Sequence, residues 1–209
     1  MPIELVTTDG VFALDGGEWE VTNNIWLVGD EREVIVFDAA HDHQRIVEAV
    51  AGRRVKAIVL THGHNDHINA AVPLREVVDA PIWLHPADQM LWKAVWPADS
   101  TDRDVTPGSA FEVAGHKLAV VHTPGHSPGC CCFFDAADGR VVSGDTLFCG
   151  GPGATGRSHS DEATILRSII DQLLTLPAET IVHTGHGDTT SIGAERDGVL
   201  ARAAELGIP

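Results

Sequence analysis

The heptapeptide Thr61-His62-Gly63-His64-Asn65-Asp66-His67 decides how the rest of this sequence is interpreted. It follows the β-branched apolar run Val55–Leu60, which is typical of a buried strand, and it leads into the helical pattern of 68–78. Because a glycine separates them in a turn, His62 and His64 can project the same way. Asp66 and His67, at the start of the helix, turn to a neighbouring point. Such a density of metal-binding side chains favours two adjacent cations over one.

Three later segments also place a histidine or an aspartate where a predicted strand ends in a glycine-flanked turn. The segments are 123–129, 143–148 and 183–187, and their candidate ligands are His126, Asp145 and His186. A single histidine in such a place is more often a satisfied core residue than a ligand. Together with the first cluster, however, the three positions indicate a metal site.

The motifs T-H-x-H-x-D-H, T-P-G-H-S, G-D-T-L-F and G-H-G, in that order, resemble those of the metallo-β-lactamase superfamily over about residues 24–195. The resemblance implies an α/β fold, the four-layer αββα sandwich, with the metal site at one edge of its two sheets. The length of 209 residues suits one such domain over residues 1–209.

The resemblance also implies a ligand set: His62, His64 and His126 for the first metal, Asp66, His67 and His186 for the second, and Asp145 as a bridge. Asp38 matches the acidic residue of the family's I-D-T-G element and would hold a ligand histidine by its other ring nitrogen. The alternative for Asp38 is a strand-end residue that caps the next turn. Ligands that are all nitrogen or oxygen suit two divalent ions, for which we expect zinc, with iron or manganese as alternatives.

Two adjacent divalent ions lower the pKa of a bridging water toward about 7 and polarise a carbonyl, so the expected chemistry is hydrolysis. Lactamases of this fold often use a cysteine among the ligands of the second metal, whereas this chain has Asp145 as the bridge, which disfavours β-lactamase activity. The segments 144–148, 151–158 and 185–195 are similar to glyoxalase II, the hydroxyacylglutathione hydrolases, and especially to their short single-domain bacterial branch.

We therefore expect a small-molecule thioester as the substrate. A thiolate, with a reference pKa of about 8.5, leaves without a general acid, so the site needs no further proton donor. Asp66, or the water that it holds, is the candidate for accepting a proton from the nucleophile. Asp145 is the second candidate catalytic residue.

The chain departs from the pattern of full-length glyoxalase II where those enzymes bind glutathione. The position that is basic in those enzymes is Ala154, the sequence contains no tyrosine, and it stops at Pro209. We therefore expect another small thiol as the acyl carrier, such as mycothiol or a coenzyme A-like thiol. The main alternative function is a persulfide dioxygenase, which would bind a single iron through two histidines and the aspartate. A non-catalytic binding protein is a third alternative.

Four further residues are candidate substrate contacts, and each also has an explanation that involves no substrate. Trp92 and Trp96 share a helical face in the irregular segment 86–107, where they either plug into the core or form a wall or lid over the pocket. Arg157 would supply an anion contact or serve only as a solubilising loop residue. His159 would line the mouth of the site or lie on the wet surface.

Charge and composition limit the partners of this chain. The 30 acidic residues against 14 basic ones give a formal net charge of −16, so a polyanion would meet a repelling surface. We expect neither nucleic acid nor a membrane as a partner. No apolar run approaches the roughly 20 residues of a membrane span, and residues 1–4 lack the start of a signal peptide, so we expect a cytoplasmic protein. The oligomeric state is left open.

The rest of the pattern predicts a β meander followed by alternating helices and strands. Glycines separate short strands at Ile3–Val6, Val11–Leu14, Val21–Val28 and Val34–Phe37. Helical spacing covers 45–51, 68–78, 163–176 and 191–206. Two helix-bearing halves around β-rich centres indicate stacked sheets with helices outside.

Overall fold

The structure is a computed structural model that describes residues 3–208. The first half of the chain forms a six-stranded sheet in which neighbouring strands follow the chain order. Its strands are β1 (Ile3–Leu14), β2 (Gly17–Gly29), β3 (Glu33–Phe37), β4 (Arg54–Val59), β5 (Ile82–Leu84) and β6 (Arg103–Asp104). The first three strands pair antiparallel, and β3 to β6 pair parallel.

The second half forms another six-stranded sheet, in the order β14-β13-β10-β9-β8-β7, and a small two-stranded ribbon of β11 and β12. These strands are β7 (Ala110–Val113), β8 (His116–His122), β9 (Cys131–Asp135), β10 (Arg140–Gly144), β11 (Leu147–Phe148), β12 (Gly151–Pro152), β13 (Ile181–Thr184) and β14 (Thr190–Ser191). Within this sheet β10 and β13 pair parallel.

Helices cover the outer faces of both sheets and confirm the predicted αββα sandwich. They are α1 (His43–Val50), α2 (Asn65–Ile68), α3 (Ala71–Val78), α4 (Gln89–Val95), α5 (Glu162–Ser168, continued by a π-helical turn at Ile169–Leu173) and α6 (Ile192–Glu205). Side chains of α1, α3 and α4 pack on the first sheet, and those of α5 and α6 pack on the second. No helix within residues 3–208 is long and apolar enough to cross a membrane.

Strand β3 shows why both faces of the first sheet are covered. Val34 and Val36 belong to the apolar cluster under the helices, whereas Ile35 and Phe37 belong to the cluster between the sheets. Successive side chains of a strand point to opposite faces, so a continuous apolar run needs a partner layer on each side. The ring of Phe37 lies 4.9 Å from that of Phe133 in the facing sheet.

The first two predicted strands are in fact one long strand, because Gly10 does not form a turn. It pairs with Val21 inside the β1–β2 hairpin. A Cβ atom at Gly10 would lie 2.1 Å from Nδ1 of His41, so this glycine makes room for an imidazole ring. The predicted strand type is correct here but the predicted boundary is wrong, since a glycine in a strand can mark a close approach as well as a turn.

The predicted helix over 68–78 is divided between α2 and α3. At the division, Ala70 N donates to Ala39 O at 2.9 Å, and the Asn69 side chain accepts from His41 N at 2.6 Å. These bonds fix the chain to the loop that follows β3, and the backbone leaves the helical path there. The short helix α2 is consequently separate from α3 and lies directly after the histidine-rich loop.

The ends of four strands meet at one edge of the sandwich. Parallel pairing brings the carboxyl ends of β4, β10 and β13 to the same side of their sheets, and β8 runs the same way as β10. Two backbone bonds join the sheets there: Cys131 N donates to Thr61 O at 2.9 Å, and Asn24 N donates to Gly185 O at 2.8 Å. Four loops are thereby held together at this edge.

Candidate metal centre

Three buried imidazoles form the first group of donors at this edge. His62 and His64 come from the loop after β4, and His126 comes from the loop after β8. His62 Nε2 lies 3.0 Å from His64 Nδ1, which in turn lies 2.9 Å from His126 Nε2. Two nitrogen ligands of one tetrahedral zinc lie about 3.3 Å apart. The three nitrogens are therefore close to the spacing of ligands around a single cation.

Asp66, His67 and His186 form a second group of donors. His67 Nε2 lies 3.2 Å from His186 Nε2, and Asp66 Oδ2 lies 3.4 Å from the former and 3.3 Å from the latter. Asp66 and His67 are side chains of the short helix α2, and His186 follows β13. These separations also match the donor spacing around one cation.

Asp145 lies between the two groups. Its Oδ2 is 3.5 Å from His126 Nε2 and 3.4 Å from His186 Nε2, while its Oδ1 is 3.4 Å from His67 Nε2. The residue follows β10 directly and is buried. One carboxylate therefore contacts donors of both groups, which is the arrangement that a bridging ligand requires.

Asp38 touches the ring nitrogen of His67 that faces away from the site. The distance between Asp38 Oδ2 and His67 Nδ1 is 2.9 Å, and Asp38 also accepts hydrogen bonds from Thr61 N and Thr61 Oγ1 at 2.8 and 2.9 Å. Its backbone has a φ of +60°, a left-handed conformation that these bonds stabilise. The contact orients His67 so that its Nε2 points toward the other donors.

Backbone carbonyls orient two other imidazoles. His126 Nδ1 lies 2.7 Å from Ala154 O, and His186 Nδ1 lies 2.8 Å from Thr22 O. Since a carbonyl only accepts, each Nδ1 carries the proton, and Nε2 is the nitrogen that each ring presents to the site.

The two groups differ in charge when no cation is present. Burial lowers the pKa of His62 well below its ordinary value, and it lowers the pKa of His64 to about 3. Both rings are therefore neutral at pH 7 and able to bind a cation without losing a proton. Neutral imidazole is the form that ligates metals.

In the second group, carboxylates reverse the effect of burial. Desolvation lowers the pKa of His186, but the charge of Asp145 and hydrogen bonds to Asp145 and Asp66 outweigh it and raise the pKa to about 10. The pKa of His67 is also raised well above its ordinary value, because Asp145, Asp66 and Asp38 outweigh its burial. Burial raises the pKa of Asp66, yet the charge of His67 lowers it to about 2. Protonated imidazoles thus provide positive charge where a cation would.

The donor set fits a pair of divalent cations. Asp145 Oδ1, which lies 3.4 Å from His67 Nε2, is buried and has no hydrogen-bond partner among residues 3–208. Unpaired buried polar atoms are rare in folded proteins and call for a specific cause, such as an ion. All seven donors are nitrogen or oxygen atoms, which suits zinc, iron and manganese alike.

Asp88 is a buried carboxylate that sequence reasoning missed. Its Oδ2 accepts from Gly63 N at 2.8 Å and from Ser127 Oγ at 2.6 Å, and its Oδ1 accepts from Gly129 N at 2.6 Å. Burial raises the pKa of Asp88 despite these bonds. Asp88 connects the two loops that carry His62, His64 and His126. The one sequence feature that could have indicated it is its position directly before helix α4.

Asn23 is a second residue that the sequence did not reveal. Its Nδ2 donates to Asp66 Oδ2 at 3.0 Å, and its Oδ1 lies 2.9 Å from His41 Nε2. Asn23 lies on β2, far from Asp66 and the histidine motif along the chain. An asparagine inside a predicted strand gives no sign of such a contact.

A cavity of about 190 Å³ opens beside the donors. Its lining combines donors with apolar and loop residues: Phe12, Val21, His64, Asp66, His126, Asp145, Phe148, Ala154, Arg157 and His186. The volume is below the roughly 300–1,000 Å³ of pockets that bury a whole ligand. The cavity therefore has room for only the reacting end of a substrate, and the remainder would lie at its mouth.

The structure does not place three of the predicted substrate contacts in this cavity. Trp92 is fully buried in the apolar core, where its Nε1 donates to Asp99 O at 3.1 Å. Trp96 packs against the same core and donates from Nε1 to Ile68 O at 3.0 Å. His159 is exposed and does not line the cavity. For the tryptophans the core alternative is the one observed, because both indole N–H groups find carbonyls inside the fold.

The αββα sandwich with two overlapping donor groups defines a class of metal-dependent enzymes, and sequence comparison gives its name. The model of the metallo-β-lactamase superfamily matches residues 19–186. The chain belongs to this superfamily, and it is a metallo-hydrolase.

Three known proteins that resemble this chain are a hydroxyacylglutathione hydrolase, a metallo-β-lactamase and a protein with two bound irons. Hydroxyacylglutathione hydrolase GloC of Haemophilus influenzae is 29% identical over 82% of this chain and 87% of its own length. The crystal structure of BLEG-1 B3 metallo-β-lactamase has a TM-score of 0.77 and 28% identity, covering 91% of this chain and 97% of that one. The structure of TTHA1623 in a di-iron-bound form has a TM-score of 0.75 and 33% identity, covering 84% of this chain and 93% of that one.

Proposed function

We propose that this metallo-hydrolase cleaves a thioester of a small thiol, with two divalent cations held by the seven donors. The observation that carries the proposal is the position of Asp145, whose carboxylate contacts donors of both groups. An aspartate shared in this way favours two adjacent cations. The similarity to GloC, a hydroxyacylglutathione hydrolase, and to a protein that binds two irons supports the same reading.

The chemistry that bound divalent ions supply is a water of lowered pKa, about 7, together with a polarised carbonyl. The side chains of the site do the rest. Asp66 Oδ1 is buried and has no hydrogen-bond partner among residues 3–208, so it is free to accept a hydrogen bond from the attacking water. Asn23 holds the other oxygen of this carboxylate, which fixes the direction of the free one.

The apolar walls of the cavity suit an acyl group. Phe12, Val21 and Phe148 line it beside the donors and reduce the access of bulk water. Among the described residues, no lysine, tyrosine or cysteine lines it as a general acid. A thiolate leaving group requires none, since its reference pKa of about 8.5 lets it depart unprotonated.

The thiol that carries the acyl group is proposed to differ from glutathione, mycothiol or a coenzyme A-like thiol being the candidates. Ala154 lies at the cavity where full-length glyoxalase II enzymes have a basic residue, and its carbonyl is used to orient His126. An alanine there offers no charge to a glycine carboxylate of glutathione. The similarity to GloC makes the glutathione thioester the comparison substrate.

The test combines elemental analysis with a substrate panel. Purified protein is analysed for zinc, iron and manganese, and it is assayed with S-acyl forms of glutathione, coenzyme A and mycothiol, with a β-lactam, and with a thiol persulfide under an oxygen electrode. The expected result is two metal equivalents per chain and release of thiol from at least one thioester. A clear preference for the glutathione thioester would refute the proposed carrier but leave thioester hydrolysis intact.

Two outcomes would overturn thioester hydrolysis itself. One iron per chain with oxygen consumption on the persulfide would favour the dioxygenase alternative. Hydrolysis of the β-lactam alone would favour the activity of the structurally similar BLEG-1.

A further inference from the structure

The tip of the β1–β2 hairpin reaches across the mouth of the cavity to the loop 154–160. Asp15, in the hairpin turn, accepts a hydrogen bond from Ser158 N at 2.9 Å. Phe12 and Trp19 stack on one another with ring centroids 5.5 Å apart. Arg157 Cζ lies 4.2 Å from the centroid of Trp19 and 5.5 Å from that of Phe12. The two aromatic rings therefore cradle the guanidinium of the opposite loop.

The guanidinium of Arg157 makes no hydrogen bond and no ion pair within 4 Å in the described part of the chain, and the backbone of Arg157 is fixed. The nearby carboxylate is that of exposed Asp15, whose pKa is lowered by hydrogen bonds from Ser158 and, to a smaller extent, by the charge of Arg157. Arg157 N donates to Ser160 Oγ at 3.1 Å, and Ser160 Oγ donates to Arg157 O at 2.7 Å. Arg157 Cζ lies over the ring of Trp19, and a guanidinium in contact with the face of an aromatic ring can still donate from its N–H edges. A guanidinium held this way loses little conformational freedom when it binds a planar anion.

Arg157 is also the one lysine or arginine among the described residues that line the cavity. It shares the part of the lining that contains Phe12, His64 and His126, which is the end of the cavity next to the first donor group. The formal net charge of −16 makes the protein as a whole repel anions. A cation at the mouth of the cavity is a local exception to this repulsion of anions.

We infer that Arg157 and the aromatic pair Phe12–Trp19 form a recognition site for a carboxylate of the substrate at the mouth of the cavity that holds the reacting carbonyl. The inference rests on the proposed thioester hydrolysis and names its substrate class, a thioester whose non-reacting part is anionic. The cavity of about 190 Å³ is too small for a whole carrier, so that part has to lie at the mouth, beside Arg157. A carboxylate accepts two parallel N–H bonds from a guanidinium.

Matched substrate pairs test this inference in two arms. In the first, the carboxylate lies on the thiol: S-acetyl-3-mercaptopropionate is compared with S-acetyl-3-mercaptopropionamide. In the second, it lies on the acyl group: the succinyl thioester of N-acetylcysteamine is compared with the succinamoyl thioester. The carboxylate member of one pair is expected to have a kcat/KM about tenfold or more above that of its amide, as a charge-assisted bond implies. The arm that responds tells which half carries the anion.

Variants connect the preference to Arg157. Arg157→Gln should bring the carboxylate-to-amide ratio close to one, and Arg157→Lys, which keeps the charge but loses the planar fork, should give an intermediate ratio. Trp19→Leu should reduce the ratio while leaving the arginine in place. Arg167→Gln removes an exposed arginine of α5 away from the cavity, so it is the matched control and should keep the wild-type ratio.

Binding to the metal-free protein gives a readout that does not depend on hydrolysis. The thioether S-acetonyl-3-mercaptopropionate and its amide are titrated calorimetrically against wild type, Arg157→Gln and Arg157→Lys, each checked for folding by circular dichroism. Tighter binding of the carboxylate that is lost in Arg157→Gln supports the inference. The inference is overturned if acid and amide bind equally and the two succinate-derived thioesters also have equal kcat/KM, or if a preference for the carboxylate survives in Arg157→Gln. Loss of hydrolysis of every thioester, with the binding preference retained, would count against the proposed function alone.

Discussion

Replacing Asp88 with asparagine should weaken metal binding by His62, His64 and His126 and leave the second group of donors intact. Asp88 Oδ2 accepts hydrogen bonds from Gly63 N and Ser127 Oγ, and Asp88 Oδ1 accepts one from Gly129 N. An asparagine keeps one acceptor oxygen, but its NH2 group must face one of the two backbone N–H donors. That donor is then buried and unpaired.

The expected magnitude follows from that single lost acceptor. A buried donor without a partner costs about 1–3 kcal/mol, so the free energy of unfolding of the metal-free chain should fall by about this amount. Because the two loops lose their common anchor, the affinity at the first group should fall about 10- to 100-fold, the range typical of lost supporting contacts at metal sites. Affinity at Asp66, His67 and His186 should stay within error.

Two measurements check this prediction. Zinc is titrated against a chromophoric chelator to resolve the binding steps, and urea unfolding gives the stability of the metal-free chain. Asp104→Asn, at an exposed position, is the matched control and should change neither quantity. Asp38→Asn should show the opposite pattern, since Asp38 contacts His67 at 2.9 Å. Equal weakening of both steps in Asp88→Asn, or none, would refute the assignment of Asp88 to the first group.

Three further predictions concern the same site and the core. Gly185→Ala should abolish binding of both metal equivalents, because a Cβ atom at this position would lie 2.0 Å from Asp145 Oδ1. Gly198→Ala is the control and should retain both equivalents, because the space around Gly198 is open. Elemental analysis measures the metal content of both variants. Raised pKa values keep His67 and His186 protonated at neutral pH, so a cation must displace their protons, and affinity at the second group should rise about tenfold per pH unit and proton between pH 6 and 8. An affinity there that is flat with pH, in chelator titrations across that range, would contradict this. Trp92→Ala should lower the free energy of unfolding, measured in urea, by about 3–5 kcal/mol, as for other buried aromatic residues. A change in KM without a change in stability would contradict the core role of Trp92 and favour a substrate contact.

The donors were predictable because a metal site concentrates unusual residues at positions that the strand pattern already marks. His62, His64, Asp66 and His67 lie within one loop, and His126, Asp145 and His186 each follow a strand. Parallel pairing then brings the strand ends to the same edge. Local sequence and simple sheet geometry are sufficient for these residues, and the structure brings all seven together.

The residues that the sequence did not reveal depend on contacts between distant segments. Asp88 reaches loops 25 and 41 residues away, and the hairpin turn at Asp15 bonds with Ser158 across 143 residues. No periodicity or motif reports such pairings. Trp92 and Trp96 illustrate the converse, since a shared helical face is equally compatible with core and pocket until the neighbouring elements are placed.

The most direct test of the account is a crystal structure of the metal-loaded protein with anomalous data collected at the absorption edge of the bound metal. The account requires two anomalous peaks, one in contact with His62, His64 and His126 and the other with Asp66, His67 and His186, and Asp145 in contact with both. A single peak on fully loaded protein, with His186 turned away from it, would contradict the two-cation site and the hydrolysis proposed from it.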